Sequence, residues 1–342
     1  MTETMAAPLF IVADGNNLAW AGFHALRRPM GADTPEKKAR AALLGFTQSL
    51  LGLIIRGGEP PAMPPARGMF EAPPGRVSRV AVVFDEGRPL RRRAVFPGYQ
   101  LGREGDPNFI DNEPFVLDAI RQFSEIAAAL PIEVVRGVNT EADDLMAALV
   151  LQSTAPHVRI VSTDRDFLQL VGERVSVYAP VKRVIIDAAN FATMVAPSGS
   201  DGVPVTFPAG RYLDYRAASG DASDNLPGIP GVGALTAAKL LARAPMEDYF
   251  ADPGATAAAL GRRNQKLEGT LETAAARETF ERNRALMDLS AAAALYPDLR
   301  PYTSTGAWDA DGFRAWAKDQ RIAGLDSEAA CRALASLASA QA

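Results

Sequence analysis

Nine acidic side chains stand in five separated segments of the 342-residue chain, and their chemistry suits hard divalent cations. Magnesium prefers carboxylate and water oxygens, and each ion typically uses only a few carboxylates. A structural calcium site, the competing interpretation, would concentrate its ligands in one loop. The nine candidate ligands are Asp14, Asp85, Glu141, Asp143, Asp144, Asp164, Asp166, Asp221 and Asp224. They predict two ions, which could activate a water molecule and stabilise the leaving oxygen of a phosphodiester.

The densest of these segments runs from Thr140 to Asp144. Thr140 and Asp143 fit a capping box, and acids in a first helical turn also complement the helix dipole. Capping needs only one acid, however, whereas this segment has three in four positions. Glu141 and Asp144 lie on one helix face, where a cation between them would offset their repulsion.

A turn rich in glycine and proline follows the last acidic pair and leads into a helix rich in alanine and leucine. It contains Gly228, Gly231 and Gly233, and Lys239 lies within the helix. Unpaired backbone N–H groups at such a helix start favour a bound phosphate. The alternative is a helical hairpin whose glycines serve the turn alone. Beside paired acids, the turn predicts that the protein holds a nucleic-acid backbone by its phosphates.

Residues 86–112 combine arginines with aromatic residues in a segment that glycine and proline interrupt. Arg91, Arg92 and Arg93 stand near its start, and Tyr99 lies farther along. Because arginines attract phosphates and aromatic rings stack on bases, the segment fits a flexible clamp for a single strand. A solvated loop is the alternative for the arginines.

Short apolar runs bounded by turn residues predict the strands that position these acids. Asp14, Asp85 and Asp164 each follow such a run. Strands that alternate with helices indicate a mostly parallel α/β sheet with helices on both faces, and ligands bind beyond the carboxyl ends of its strands. The predicted strands cover 9–13, 79–84, 132–135, 158–161, 175–178 and 184–186, and the main helices cover 18–26, 36–55, 114–130, 140–152 and 234–244.

Three other regions show no such alternation. Residues 56–78 contain too much proline and glycine for regular structure and predict a mobile surface insertion. From about residue 206 the pattern is all-helical. Residues 308–342 are rich in alanine, and we predict helices without recognisable chemistry there.

The composition excludes several other classes of protein. One cysteine and two histidines leave no disulfide framework and no zinc pattern. No basic leader precedes the first apolar run, and no run looks long enough to cross a bilayer. The net charge of −4 is uninformative, because the remainder of the chain is basic once the nine acids are set aside. We expect a soluble, cytoplasmic, nucleoid-associated monomer.

The ordered motifs jointly resemble the 5′-nuclease superfamily of flap endonucleases and 5′→3′ exonucleases. The likeness runs from about residue 9 to 300 without a polymerase domain, so we expect a free-standing bacterial or phage-type enzyme. The motifs that carry it are Asp14-Gly-Asn-Asn, Phe84-Asp85, Glu141-Ala-Asp143-Asp144, Thr163-Asp164-Arg-Asp166, Gly220-Asp221-Ala-Ser-Asp224-Asn and Gly228-Ile-Pro-Gly231-Val-Gly233.

The resemblance implies three regions. They are a PIN-like α/β nuclease domain over residues 1–205, a helix–three-turn–helix DNA-binding domain over 206–300 and a helical extension over 301–342. Residues 86–112 would form the arch, or clamp, through which a single-stranded 5′ end passes. The expected substrate is DNA with a 5′ flap, a 5′ end or a branch, and an RNA primer paired to DNA is a further one.

The resemblance also assigns roles to individual residues. It implies a first metal cluster of Asp14, Asp85, Glu141, Asp143 and Asp144, and a second of Asp164, Asp166, Asp221 and Asp224. The metal would be magnesium, which manganese can replace, and the hairpin over residues 228–233 would also hold potassium. Gly231 and Gly233 would contact the duplex backbone. His24 matches a position near the substrate, although a lone histidine on a helix is more often a packing residue.

Two positions depart from the family pattern. Gln100 follows Tyr99 where relatives have a basic residue that acts on the scissile phosphate, whereas Arg103 matches a second basic position and is retained. Glu86 stands where glycine is common. We therefore predict a metal-dependent 5′ nuclease in which Asp144, Gln100 and Arg103 act at the reacting phosphate. A flap-binding protein with weakened turnover and a PIN-type ribonuclease are the alternatives.

Overall fold

A twisted sheet forms the centre of the molecule. The computed structural model describes residues 7–59, 77–199, 201–322 and 328–341, and the side chains of residues 103 and 104 lie outside this description. Residues 60–76, most of the predicted insertion, are outside it as well. Numbered along the chain, the strands are β1 (Leu9–Asp14), β2 (Val77–Glu86), β3 (Glu133–Val138), β4 (His157–Val161), β5 (Val175–Ala179), β6 (Val184–Ile186), β7 (Gly220–Asp221), β8 (Leu226–Pro227) and β9 (Thr303–Thr305).

Seven of these strands form one sheet in the order β6-β5-β4-β1-β2-β3-β9, and β7 pairs with β8 in a separate hairpin. The five central strands run parallel, whereas the edge strands β6 and β9 are antiparallel to their neighbours. The mostly parallel sheet and all six predicted strands are confirmed. The carboxyl ends of β1, β2 and β4 therefore lie at one edge.

Both faces of the sheet are covered, as a parallel sheet requires. In β1, Leu9 and Ile11 point into one hydrophobic core, whereas Phe10 and Val12 point into the other. All six residues of β1 are buried, which explains why its sequence is continuously apolar up to Asp14. A side chain at the end of β1 is thus held by a strand that is packed on every side.

Helices of very different length surround the sheet. Those predicted at 18–26, 36–55, 114–130, 140–152 and 234–244 are confirmed, with boundaries that differ by a few residues. The helices are α1 (Gly15–Arg27), α2 (Pro35–Ile55), α3 (Leu90–Val95), α4 (Leu101–Glu104), α5 (Pro107–Ile110), α6 (Glu113–Ala127), α7 (Ala142–Gln152), α8 (Phe191–Val195), α9 (Tyr212–Ser219), α10 (Ala234–Leu241), α11 (Met246–Ala251), α12 (Thr256–Leu260), α13 (Gln265–Leu271), α14 (Ala274–Met287), α15 (Leu289–Ala293), α16 (Ala310–Asp319) and α17 (Glu328–Gln341).

Helices α1 and α2 cross in direct backbone contact on the first face. A Cβ atom on Gly22 would collide with the backbone of Gly45, and one on Gly45 would collide with Gly22. Larger residues at either position would separate the helices. The contact sets the position of α1, which begins immediately after Asp14.

Helix α2 is long and apolar enough to cross a membrane by length and composition alone. We expected no such run from the sequence. In the folded chain, however, 67% of its most apolar window is buried. Leu43, Phe46 and Leu50 lie in the core beneath α1 and α6, which is the position of a core helix in a globular protein.

The helical region after residue 206 shares its core with the second face of the sheet. Phe10 and Val12 of β1 belong to the same buried cluster as Ile229 and Val232 of the glycine-rich turn and Phe280 of α14. The helical region over residues 206–300, which we predicted as a DNA-binding domain, is therefore packed directly on the central sheet. Its glycine-rich turn is held in a fixed position relative to the acids.

The C-terminal segment completes the first face. Its two helices are confirmed, and Phe313 of α16 and Leu334 of α17 are buried in one cluster with Phe84 of β2. Strand β9 was not predicted. Thr303-Ser-Thr305 contains no apolar alternation, and it becomes a strand only because β3 offers a free edge for pairing.

Substitution of Phe313 tests whether this segment belongs to the core. Phe313→Ala removes a ring that is 0% exposed, so the cavity is expected to lower the free energy of unfolding by about 3–5 kcal/mol. Leu295→Ala, at a position that is 55% exposed, is the control and is expected to change it by less than about 0.5 kcal/mol. Urea denaturation of the full chain measures both. Equally small effects would show that the C-terminal helices are not part of the core.

Candidate metal centre

The end of β1 and the loop after β4 are joined by hydrogen bonds at the carboxyl edge of the sheet. The carboxylate of Asp14 accepts from the N–H of Asn17 (2.9 Å), which caps α1, and from the hydroxyl of Ser162 (2.9 Å). The same hydroxyl accepts from the N–H of Asp164 (3.0 Å). The chain therefore brings Asp14 and Asp164 together, 150 positions apart in the sequence, as the parallel-sheet interpretation predicted.

The third strand end is tied to helix α7. Asp85 accepts from the N–H of Ala142 (2.6 Å), and its own N–H donates to Asn16 (3.0 Å). The capping-box interpretation does not hold, because the N-cap residue is Glu141 and its side chain makes no capping hydrogen bond. Asp85, near the end of β2, caps α7 instead. The acids of α7 are therefore not engaged in capping.

Burial and mutual repulsion hold protons on this group of carboxylates. Burial, with repulsion by Asp85 and Asp164, raises the pKa of Asp14 to about 7. Burial raises the pKa of Asp143 well above its ordinary value, and Asp164, Asp14 and Asp85 add to the effect. Repulsion on this scale requires the carboxylates to be close neighbours. Asp164 couples to both Asp14 and Asp143, so it belongs with the first predicted cluster as much as with the second.

The second group of acids is compact. Single carboxylate oxygens of Asp166, Asp221 and Asp224 all lie within 4.8 Å of one another. Asp166 and Asp224 are buried, and burial together with Asp164 raises the pKa of Asp166 to about 7. Asp164, the fourth member expected here, is not among these three acids, but its carboxylate accepts from the N–H of Asp166 (2.7 Å) and its charge repels that of Asp166.

A buried arginine that we did not predict stands beside this group. The guanidinium of Arg216 on α9 donates to Asp166 (2.8 Å) and forms a short ion pair with Asp221. Burial alone would raise the pKa of Asp221, but Arg216 and Ser223 lower this pKa below its ordinary value. The only sequence signal for Arg216 was a charged residue among the buried positions of a short helix.

Arg92, which we predicted as a DNA contact, plays the equivalent part in the first group of acids. It is 2% exposed, and its guanidinium donates to Asp144 (2.7 Å) and forms a short ion pair with Glu141. Burial raises the pKa of Glu141 to about 7, although Arg92 opposes the shift. In this conformation Arg92 neutralises acids and is not available to a phosphate.

Tyr99 is also buried, so its ring cannot stack on bases in this conformation. Its hydroxyl lies 3.2 Å from a carboxylate oxygen of Glu141 and 3.3 Å from one of Asp224. The segment over residues 86–112, which we call the arch segment, is thus anchored to both groups of acids at once. Three short helices, α3 to α5, form in this segment, which we predicted as a flexible clamp.

The other predicted residues of the arch segment differ in their surroundings. Arg91 is half-exposed and pairs with Asp144 (3.1 Å), whereas Arg93 donates to the carbonyl of Tyr99 (3.3 Å). Gln100 adopts a left-handed conformation (φ 56°), and its N–H donates to the carbonyl of Asp224 (3.1 Å). The side chain of Arg103 lies outside the described residues.

The glycine-rich turn exposes backbone beside these groups. Gly231 has φ +85°, which favours glycine, and Gly233 is the N-cap of α10 with no side-chain hydrogen bond at the cap. Gly228 is required for another reason, since a Cβ there would collide with the backbone of Ser219. Gly231 and Gly233 are exposed, and Lys239 is half-buried in α10. The turn can therefore present N–H groups to an anion.

His24 lies at the surface of α1, one turn from Trp20. Its ring stacks on Trp20 at 5.6 Å between centroids, and Trp20 also stacks on Phe109 of the arch segment at 4.9 Å. Burial and Arg27 lower the pKa of His24, so it is neutral at pH 7. The packing alternative thus accounts for one face of the ring, and its exposed side is free to meet a ligand.

The potential ligand atoms at the sheet edge suit divalent cations. They are oxygens of carboxylates, several of them buried, and their raised pKa values show that they repel one another when deprotonated. Asp166, Asp221 and Asp224 could share one ion. Asp14, Asp85, Asp143 and Asp164 are near enough to repel one another, and they could hold another ion. Hard cations with oxygen ligands are the ions that such a set selects.

Removal of Arg92 is expected to destabilise the protein when divalent ions are absent. Arg92→Ala leaves Glu141 buried without its cation and Asp144 with Arg91 alone, and loss of one partner from a buried ion pair typically costs about 3–5 kcal/mol. Urea denaturation in EDTA at about pH 8 measures the change. Arg121→Ala, which breaks a surface pair with Asp118, is the control and is expected to leave the midpoint unchanged. Equal midpoints for both variants would contradict the assignment.

The raised pKa values predict how stability depends on pH in EDTA. Asp14, Glu141 and Asp166 have pKa values of about 7 in the folded protein and roughly 4 in an unfolded chain. The folded state binds more protons between these values, so the stabilisation is complete below about pH 4 and is lost as the pH rises through about 7. The free energy of unfolding is therefore expected to fall from about pH 5 to pH 8.

Magnesium is expected to reverse this trend, because it binds the deprotonated carboxylates and binds more tightly as the pH rises. Denaturation at both pH values, with EDTA and with magnesium, measures the two slopes. A free energy of unfolding that rises with pH in EDTA would show that these carboxylates are not protonated in the folded state.

The sequence is similar to part of bacterial DNA polymerases. A model of the family described as 5′-3′ exonuclease, N-terminal resolvase-like domain, matches residues 9–195. DNA polymerase I of Mycobacterium bovis is 33% identical over 243 residues, which are 70% of this chain and 24% of that protein. The thermostable DNA polymerase I of Thermus aquaticus is 31% identical over 234 residues, which are 68% and 23%. The chain thus spans about a quarter of the length of these relatives.

The fold is similar to that of a phage nuclease. The 5′-exonuclease of bacteriophage T5 with bound zinc matches with a TM-score of 0.60 and 17% identity over 91% of this chain and 95% of that one. The T5 D15 flap endonuclease in a pseudo-enzyme–product complex with DNA and metal ions matches with a TM-score of 0.59 and 17% identity, over 95% and 99%. Because the family model covers more than half of the chain, including the three strand ends described above, the chain belongs to the 5′-3′ exonuclease family.

Proposed function

We propose that the protein is a divalent-metal-dependent 5′ nuclease that hydrolyses phosphodiesters of DNA at 5′ flaps and 5′ ends. The observation that carries this proposal is the convergence of acids from five segments on one edge of the sheet, with three oxygens within 4.8 Å. Family membership and the likeness to metal-bound T5 nucleases support it.

Each group of acids has its own place in the reaction. Asp166, Asp221 and Asp224 would hold one ion, and Asp14, Asp85 and Asp143 the other. When bound, two such ions activate a water molecule and stabilise the charge on the reacting phosphate. Magnesium is the ion we propose, with manganese as a substitute, because both accept oxygen ligands.

The protein's own cations prepare the site for an anionic substrate. Arg91 is half-exposed at the edge of the first group, where it could bind a phosphate oxygen beside Asp144. Arg92 is bound to Glu141 and Asp144 and keeps both carboxylates in place. The hydroxyl of Tyr99 lies within hydrogen-bonding distance of Glu141 and Asp224, one acid from each group, and would help to hold both in place.

The glycine-rich turn would bind the duplex at a point that is distant from the reacting phosphate. Exposed N–H groups at Gly231 and Gly233 suit a phosphate of the backbone, or a potassium ion shared with it, and carry no sequence preference. Recognition would then depend on duplex shape. RNA paired to DNA remains a further substrate in this proposal, with the protein acting as a cytoplasmic monomer.

Gln100 favours a second candidate function, a flap-binding protein with weak turnover. It offers no cation at the position next to Tyr99, where relatives have a basic residue, and its backbone is bound to Asp224. Arg91 supplies a cation nearby, so we favour the nuclease.

A labelled 5′-flap duplex distinguishes these functions. Incubation with magnesium is expected to release the flap, and EDTA is expected to prevent release. Binding without cleavage would support the second candidate. Cleavage of single-stranded RNA alone would indicate a ribonuclease instead.

Asp143→Asn tests the role of the first group. It removes a carboxylate that repels four neighbouring acids, so folding is expected to persist while cleavage falls by at least about 100-fold. Asp319→Asn on α16, an exposed acid outside the site, is the control and is expected to cleave normally. Retained cleavage by Asp143→Asn, with flap binding unchanged, would refute the assignment of this carboxylate.

A further inference from the structure

The hairpin that carries two acids of the second group is short. Strands β7 and β8 contain two residues each, and they pair at two positions. Asp221 ends β7 and Asp224 lies in the connecting loop, so the spacing of their carboxylates depends on how the ends of the hairpin are held. An isolated two-stranded hairpin is marginally stable at best. Contacts from other parts of the fold must therefore fix this one.

Asn283 of α14 joins the two ends of the hairpin. It is 0% exposed, and its amide nitrogen donates to the carbonyl of Ala217 (3.0 Å) and to that of Pro227 (2.9 Å). Ala217 lies in the last turn of α9, four positions before Asp221, and Pro227 lies three positions after Asp224. Both N–H groups of the amide are used in this way. One side chain thus binds the backbone on both sides of the two acids.

The carbonyl oxygen of the same amide is fixed as well. The guanidinium of Arg282 donates to it (2.9 and 3.3 Å) and lies 4.6 Å from the centre of the Phe96 ring in the arch segment. Two carbonyls face the amide nitrogen and a cation faces the amide oxygen, so only one orientation of the side chain satisfies all of its partners. An aspartate at this position would place a carboxylate oxygen against the two carbonyls.

The packing of α14 does not require an amide at this position. Phe280 and Leu286, one turn before and one turn after Asn283, are buried as well, and both are apolar. Burial of an amide costs free energy unless its hydrogen bonds are made. The amide of Asn283 therefore serves the two carbonyls that it binds rather than the packing of the helix.

We infer that Asn283 is a positioning residue for the second group of acids, because it holds both ends of the hairpin and so sets the spacing of Asp221 and Asp224 before a cation binds. The inference rests on the proposed function, since it concerns the site of one of the two ions. Asn283 acts through the backbone that carries the ligands. Replacement of residues that hold metal ligands in place typically lowers metal affinity by about 10- to 100-fold.

Hydrogen exchange in EDTA tests whether Asn283 holds the hairpin. In Asn283→Asp, the backbone N–H groups over residues 219–228 are expected to exchange at least about tenfold faster, because two buried hydrogen bonds are lost. Asn283→Ala adds no charge and leaves only a small cavity, so it is expected to fold and to change the exchange in the same direction.

Phe280→Leu is the matched control on the same helix, since it disturbs a residue that is 2% exposed without removing a hydrogen bond. It is expected to lower the thermal midpoint and to leave exchange in the hairpin unchanged. Exchange that is unchanged in the Asn283 variants, or that rises equally in Phe280→Leu, would overturn the inference.

Manganese binding in the absence of DNA provides a second measurement. The ion of the second group is identified as the one whose binding Asp221→Asn weakens. Asn283→Ala is expected to weaken this ion by about 10- to 100-fold and to change the affinity of the other ion by less than about twofold. Phe280→Leu is expected to bind both ions as the unmodified protein does. Unchanged affinity in Asn283→Ala would contradict a positioning role.

The flap-cleavage assay separates this inference from the proposed function. Cleavage by the unmodified protein, together with hairpin exchange and manganese affinity that Asn283→Ala leaves unchanged, would refute the role of Asn283 and leave the nuclease in place. Two bound ions, one of which Asn283→Ala weakens, in a protein that never cleaves the flap with magnesium would support the role of Asn283 and refute the nuclease.

Discussion

Repulsion between buried carboxylates is the constraint on which this structure depends. Asp14, Asp143 and Asp166 are brought to one edge of the sheet, where burial alone would disfavour their charges. The fold compensates in three ways: N–H and hydroxyl donors hold individual oxygens, two arginines neutralise pairs of acids, and the donor set suits cations. None of these would be needed if the acids served only the fold. An arrangement that is costly for stability and suited to metal binding is typical of a functional site.

The compensating arginines connect the three regions of the molecule. Arg92 comes from the arch segment and Arg216 from the helical region, while the acids they neutralise are carried mainly by the sheet and α7. Arg92 also donates to the carbonyl of Leu286 in α14 (2.9 Å). Because the helical region shares a core with the sheet, the glycine-rich turn and the acids keep a fixed separation.

The sequence predicted what depends on local pattern. Apolar runs gave all six predicted strands, and the rule that parallel strands end at one edge placed Asp14, Asp85 and Asp164 together. It did not reveal that Arg92 pairs with Asp144 and Arg216 with Asp166, because these partners stand 52 and 50 positions away and no local pattern encodes such pairing. Tyr99 was predicted to stack on bases because no local pattern reveals that its hydroxyl lies beside Glu141 and Asp224. Strand β9 escaped prediction because its three polar residues owe their conformation to the edge of β3.

The phenol of Tyr99 has a consequence for motion. One oxygen atom is shared by Glu141 and Asp224, which belong to different groups of acids, and its chain neighbours include Arg93 and Gln100 with their own bonds to the same region. Any movement that carries Tyr99 away would therefore uncover one acid of each group at the same time.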